Sequence, residues 1–363
     1  MSYYYDIKDD FEKYPEAIIY IIIGGRGRGK TYSALDYPIS RGKQFVFVKR
    51  TNTDVTILCA GATQLNKSSH STARLDISPV APLNRDKGYN IHPVTIPKVE
   101  GIAGFWKCTP EDEPIGEPVG YIASLNAIDK VRGFEMSNAD YLIFDEFIPK
   151  KYERVNQSEG DSLLDMYKTV SRDREHRGKR PLKLILLANA MSIANPVLDE
   201  FNLVDTMASM AINEIEYRYI DQRGILIHLV EDNPEFYEKE SKSAIYRAME
   251  GTKWRDMALE NDFSYDDFSA IEKPKLKGYR CIDCFYYKNN EYYIYRKGND
   301  YAICGTKGNY RNYYNLDTDS GKYSFYSDWV FDLKNATIHE KCVYTSFRVY
   351  NAIMNYKKVF AIT

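Results

Sequence analysis

Long apolar runs are missing from this chain of 363 residues. None approaches the roughly 20 residues that a membrane helix needs, so no span through a bilayer is expected. A secretory leader is not expected either. The opening MSYYYDIKDDFEKYPE is acidic and aromatic where a signal peptide is basic and then apolar, which reads as a soluble protein that is not secreted. Cysteine is scarce, at six residues, which argues against a disulfide-stapled scaffold and suits a reducing compartment. Cys281 and Cys284 do form a CxxC that, with Cys304 and Cys342, invites a zinc reading. The stretch CIDCFYY reads as a strand, however, whose period of two sends residues three apart to opposite faces, so core thiols are expected. Composition of the disordered kind is lacking too: 44% hydrophobic and 28% charged residues can build a core. The length exceeds one average domain, and two folded units are expected.

Charge is nearly balanced overall, at −2, but unevenly spread. From Ser269 onward there are 15 Lys/Arg against 9 Asp/Glu, and everything before carries 34 against 42. The same tail holds 15 of the 32 tyrosines. A basic, aromatic module fits a polyanion, because cations neutralise phosphates and rings pack on bases. The tyrosines suit the core and strand faces of a small β-domain equally well.

Ala17–Ile23 (AIIYIII) is the kind of apolar, β-branched run that a strand buried on both faces of a parallel sheet requires. A helix follows to Pro38, then a strand at Gln44–Lys49, which makes a βαβ unit. Thr51–Pro118 is polar and rich in turn formers, and reads as an irregular or β-rich insertion. Tyr141–Phe144 and Leu182–Leu187 are further core strands, with an amphipathic helix over Asp161–Arg172 between them. Gly224–Val230 offers a last strand. The fold class is therefore α/β, with a parallel-rich central sheet over residues 1–230. A helical linker over 231–268 and a small β-rich domain over 269–363 are expected after it. Turn signals in that domain stand at Asn289–Asn290, Gly298–Asn299 and Asp319–Gly321.

Gly24-Gly25-Arg26-Gly27-Arg28-Gly29-Lys30-Thr31 fits GxxxxGK[ST] and lies between a strand and a helix, the context that gives the motif meaning. Glycines let backbone N–H groups turn inward around phosphate oxygens, and the helix N-terminus adds partial positive charge. The loop predicts binding of ATP with Mg²⁺, Lys30 reaching the β- and γ-phosphates and Thr31 ligating the metal. Tyr141–Glu146 (YLIFDE) is an apolar strand ending in two carboxylates. Asp145 would hold the metal shell, and Glu146 would orient and deprotonate the attacking water. Asn189, at the end of another core strand, would contact the γ-phosphate or the lytic water, or else cap the turn before Asn195-Pro196. Arg172, Arg174 and Arg177 follow the amphipathic helix, each a candidate for an arginine finger or a merely solvated side chain.

Taken in order, GGRGRGKT, YLIFDEF, TVSRDREHRG and LLANAMSIANP resemble the DNA packaging ATPases of small podoviruses of the phi-29 type, compact relatives of the large terminase subunits of tailed phages. FVFVKR and FNLV agree, and the resemblance covers roughly residues 10–205. It implies a P-loop NTPase fold of the additional-strand, catalytic-glutamate class. It further implies a homo-oligomeric ring, a pentamer, at the portal (connector) vertex of an empty prohead in the host cytoplasm, driving double-stranded DNA inward. Lys30 and Thr31 carry over as phosphate and metal ligands, Asp145 and Glu146 as metal ligand and base, and Arg172 as a finger acting in trans. Lys130 or Arg132 would be a second trans-acting residue. In motors of this type a structural packaging RNA bridges ATPase and portal, which makes such an RNA a candidate partner. The tail would correspond to the family's vestigial RNase H-like nuclease domain, which no longer cuts and binds nucleic acid or the prohead.

Two other readings stand beside this one. An active terminase would need tail acids clustered around two metals, and Asp283, Asp317, Asp319, Asp328 and Asp332 are on offer. A P-loop switch that senses ATP without repeated turnover would not need Glu146.

Overall fold

A strand buried on both faces of a parallel sheet needs a continuous apolar sequence, and the segments IYIII, FVFVK, YLIFD, KLILLA and ILIHL supply it. In the computed structural model, residues 4–63, 78–96, 99–111, 113–127, 134–150, 153, 156–230, 234–252, 255, 263 and 265–360 are described. The strands of the first sheet are β1 (Ile19–Ile23), β2 (Phe45–Lys49), β3 (Ile91–Thr95), β4 (Ile102–Cys108), β5 (Pro114–Ser124), β6 (Tyr141–Asp145), β7 (Lys183–Ala188), β8 (Tyr217–Ile220) and β9 (Ile225–Leu229). They lie in the order β3-β4-β5-β2-β6-β7-β1-β9-β8. The run from β5 to β9 is parallel throughout. At its flanks, β4 and β8 turn antiparallel. The expected β-rich insertion after residue 51 is this antiparallel edge, but it also contains the helices Asn52–Thr63 and Ala81–Lys87. Because β7 separates β1 from β6, the ends of all three strands open along one edge of the sheet.

The chain divides into two compact units, Met1–Ser192 with Glu214–Ser264, and Ile193–Asn213 with Tyr265–Thr363. The sequence placed the first boundary at 230 and a helical linker over 231–268; the division found differs. The helices Pro234–Ser241 and Ala244–Ala248 belong to the first unit. Residues 193–213 belong to the second, and electrostatics explains why. Asp199 pairs with Arg348 at 2.7 Å, and Asp205 accepts from the Arg348 backbone N–H and from Ser346. Ile193 donates its N–H to Asp266 at 2.6 Å. No helix among the described residues is long and apolar enough to cross a membrane.

The second unit is built on β10 (Arg280–Tyr287), β11 (Asn290–Lys297), β12 (Asp300–Cys304), β13 (Tyr313–Asn315) and β14 (Cys342–Tyr344), in the order β13-β10-β11-β12-β14. Lys288 and Asn289, both at positive φ, make the first hairpin turn, one residue earlier than expected. The unit is less β-rich than its sequence suggests. Asp319–Gly321 opens a helix where a turn was expected, because the Thr318 hydroxyl accepts the Gly321 N–H as an N-cap, and helical structure continues to Ile338. Cys281 and Cys284 also depart from expectation. A bulge between Cys281 and Asp283 shifts the register, so both thiols pack toward the cluster of Tyr293, Tyr295, Ala302 and Cys304. They remain free thiols, and no grouping of three or more metal-ligating side chains occurs among the described residues. Eight of the tail's tyrosines, among them Tyr287, Tyr314 and Tyr344, are buried. Much of the aromatic bias therefore builds this core.

Four of the five tail acids are spread over structural contacts. Buried Asp283 accepts from Trp329 Nε1 at 2.9 Å, from the Asn312 backbone N–H at 3.0 Å and from the Tyr314 hydroxyl at 3.3 Å. Asp328 shares that hydroxyl, Asp317 accepts the Lys288 N–H, and Asp319 pairs with Lys322. Asp283→Ala would strand those donors in the interior, and a loss of about 3 kcal/mol is expected. Urea denaturation of the full chain, followed by Trp fluorescence, measures it.

Candidate functional site

β1 ends where the backbone must curl, and only glycine makes the turn cheaply. Gly27 and Gly29 adopt φ of 72° and 82°, in the left-handed region. At Gly24 a Cβ would lie 2.9 Å from that of Val230. The loop is braced from behind by the N-terminal segment: the Tyr5 N–H donates to the Arg28 carbonyl at 3.0 Å, and the Ile7 N–H donates to Ser33 Oγ at 2.7 Å. Helix Lys30–Ser40 then starts at the loop, its free N–H groups facing the concavity.

Lys30 is buried, and its Nζ donates to the carbonyls of Gly24 at 2.9 Å and Gly25 at 2.7 Å, and to Asn189 Oδ1 at 3.3 Å. Burial pushes this ammonium down to about 8, a desolvated cation that anionic oxygens would stabilise. The Thr31 hydroxyl donates to Asp145 Oδ1 at 3.0 Å. This contact joins the first turn of helix Lys30–Ser40 to the end of β6, 114 residues apart in sequence. Burial raises the Asp145 carboxyl, and Lys49, 3.5 Å away, opposes the rise. Glu146 follows at φ 58°, its side chain half exposed and 3.9 Å from Lys49.

These groups line a cavity of about 370 Å³, formed by Arg26–Tyr32, Asp145, Glu146, Lys150, Ala188 and Asn189. The volume falls within the range of small-molecule sites. A Gly cradle, one buried ammonium, a hydroxyl and a carboxylate 3.0 Å apart form a donor set that fits a triphosphate and Mg²⁺, a hard cation that keeps several waters and takes few protein oxygens. Every residue of the predicted loop from Arg26 onward lines the cavity, as do Asp145, Glu146 and Asn189, while Gly24 and Gly25 supply the carbonyls beneath Lys30. Asn189 faces the cavity, and the cap of the next helix falls to Asn195, whose Oδ1 accepts the Leu198 N–H.

The three arginines after helix Glu159–Ser171 have different fates. Arg174 is buried, bound to the Arg180 and Ala139 carbonyls and to Asp140. Arg177 is exposed, 4.0 Å from Asp173. Arg172 is not among the residues lining the cavity; its guanidinium contacts Glu135 at 2.7 Å and the Phe134 carbonyl at 2.8 Å. Lys130 and Arg132 lie outside the described residues.

Three basic residues at this edge were not singled out from the sequence. Lys49 stands between both carboxylates. Arg50 binds the carbonyls of Glu146 and Phe147 at 3.0 Å each, together with Glu153 and the buried Glu159. Lys150 lines the cavity. A signal existed for the first two, since Lys-Arg closing a fully apolar parallel strand sits at the edge where ligands bind.

Comparison with known proteins identifies a family. The family model described as Podovirus DNA encapsidation protein (Gp16) matches residues 116–321, more than half of the chain. The DNA packaging protein of Bacillus phage B103 is 28% identical over 266 residues, covering 71% of this chain and 68% of that protein. That of Bacillus phage phi29 is 26% identical over 263 residues, covering 71% and 66%. These matches span about two thirds of each relative. Among solved structures, a chain of the bacteriophage Phi-29 viral genome packaging motor assembly matches with a TM-score of 0.65 at 19% identity, covering 99% of this chain and all of that one. At that identity the likeness is one of fold.

Proposed function

Because the chain belongs to the Podovirus DNA encapsidation protein (Gp16) family, we propose that it is the ATPase of a viral genome-packaging motor, hydrolysing ATP to move double-stranded DNA into a preformed prohead. The observation that carries the reading is the 3.0 Å contact between Thr31 and Asp145, which brings the loop and the carboxylate strand to one point. When bound, Mg²⁺ would neutralise charge on the transferred phosphoryl group, held by Thr31 and Asp145. The loop N–H groups and Lys30 bind the phosphates. Glu146, half exposed and next to Asp145, takes the proton of the attacking water. Asn189, hydrogen-bonded to Lys30 and lining the cavity, would contact the γ-phosphate or the lytic water.

Arg172 is not among the residues that line its own chain's cavity, which supports action in trans on a neighbour in a ring. Five subunits at the portal vertex of a prohead, in the host cytoplasm, are the assembly we propose. The portal, the DNA and a structural RNA would be its partners, and the basic tail a vestigial nuclease domain that binds nucleic acid or the prohead. The dispersal of the tail acids gives no support to a working two-metal nuclease.

DNA-stimulated ATP hydrolysis by purified protein on proheads is the direct test, and a chain that binds ATP without repeated turnover would be a switch instead. Arg172→Ala is expected to lower turnover of the assembled ring by about 10³-fold, the scale of an arginine finger. Dilute subunits should change far less. An equal defect in both would refute the finger in trans.

A further inference from the structure

Arg172 terminates helix Glu159–Ser171 with φ 40° and ψ −129°, a conformation that glycine adopts freely and other residues only under strain. An arginine kept there despite the strain points to a use for its side chain. That side chain is seated by Glu135, whose Oε2 meets the guanidinium at 2.7 Å, and by the Phe134 carbonyl. The seat is itself built: the other carboxylate oxygen, Oε1, accepts the Ser137 N–H at 3.0 Å and also the Ser137 hydroxyl. These bonds, and then Arg172, hold the Glu135 carboxyl below its ordinary range, so it stays anionic.

We propose that Glu135 is the positioning residue of Arg172, seating the guanidinium at the surface of the single chain and releasing it to a neighbouring subunit's γ-phosphate. The proposal rests on the reading of Arg172 as a finger acting in trans. Magnitudes favour the exchange. The side chains of Glu135 and Arg172 are 60% and 34% exposed, and an ion pair so placed contributes little. A γ-phosphate in a water-excluded interface offers the guanidinium a bidentate, charge-assisted contact, stronger than so exposed a carboxylate pair. Arg174 illustrates the opposite case, since its buried bonds to Ala139, Asp140 and Arg180 leave nothing to exchange.

The test is Glu135→Gln, which keeps an acceptor for Ser137 and removes the charge facing Arg172. Steady-state ATPase would be read on proheads and in dilute subunits, in the native and Arg172→Ala backgrounds, with thermal melts to verify folding. The ratio of ring to dilute kcat/KM is expected to rise two- to fivefold, mainly through a lower KM, and the rise should vanish when Arg172 is alanine. A rise that persists without Arg172, an equal change in dilute subunits, an unchanged ratio or a fall would each overturn the proposal. If Arg172→Ala has no effect in the ring, the finger reading itself fails, an outcome visible before Glu135 is touched.

Discussion

Glu146→Gln is expected to lower turnover by about 10⁴-fold while ATP affinity stays within about twofold, since a positioned base contributes up to about that factor and touches no phosphate. The geometry separates the two functions. Glu146 is half exposed and adjoins Lys49, whereas Lys30, the proposed phosphate ligand, is buried against the loop carbonyls. The amide fills the same volume, and the Arg50 bonds run to the Glu146 backbone carbonyl, which the substitution leaves intact. Single-turnover hydrolysis and equilibrium binding of a fluorescent ATP analogue measure the two quantities independently. Loss of binding in parallel with turnover would remove Glu146 from the role of base.

The second large effect belongs to Lys30→Ala, where binding and turnover should fall together, giving about a 10⁴-fold loss in kcat/KM. Lys30 is a buried cation held by two loop carbonyls and Asn189. Each charge-assisted bond that it would make to phosphate oxygens is worth about 1.5–3 kcal/mol. Its removal also empties the space beneath the loop, so Gly24 and Gly25 lose the donor that fixes their carbonyls. The contrast between the variants is diagnostic: a titration of ATP should rescue neither, but only Glu146→Gln should still trap nucleotide. If Lys30→Ala bound ATP as tightly as the native chain, the cavity could not be the phosphate site.

What the sequence revealed follows from how local each signal is. The Gly-rich loop and the YLIFDE strand are contiguous, with each residue type tied to its neighbours by backbone conformation or strand period, and the structure brings them together. For Lys49 and Arg50 the place at the end of an apolar strand was legible, but their partners on β6 follow from β2 lying beside it, a strand order that no local pattern encodes. Glu135 escaped for the same reason, its partner standing 37 residues away. The division of the chain differs from the sequence reading because residues 193–213 follow soon after a core strand, and the contacts that tie them to the second unit, among them Asp199 and Asp205 meeting Arg348 and Ser346, come from far along the sequence. In the tail, DTDSG spells a turn as readily as a helix start, and the Thr318 cap decides between them. The bulge after Cys281 breaks the period of two on which the cysteine reading depended.

The position of β1 between β7 and β9 bears on how the protein is made. During synthesis at about 5–20 residues per second, β1 leaves the ribosome tens of seconds before β9, the neighbour with which Ile21 pairs at Ile227. Until β7 emerges neither edge of β1 has its native partner, and the edge that awaits β9 stays open longer still. A fragment stalled before residue 183 would carry every glycine of the loop and still form no nucleotide pocket.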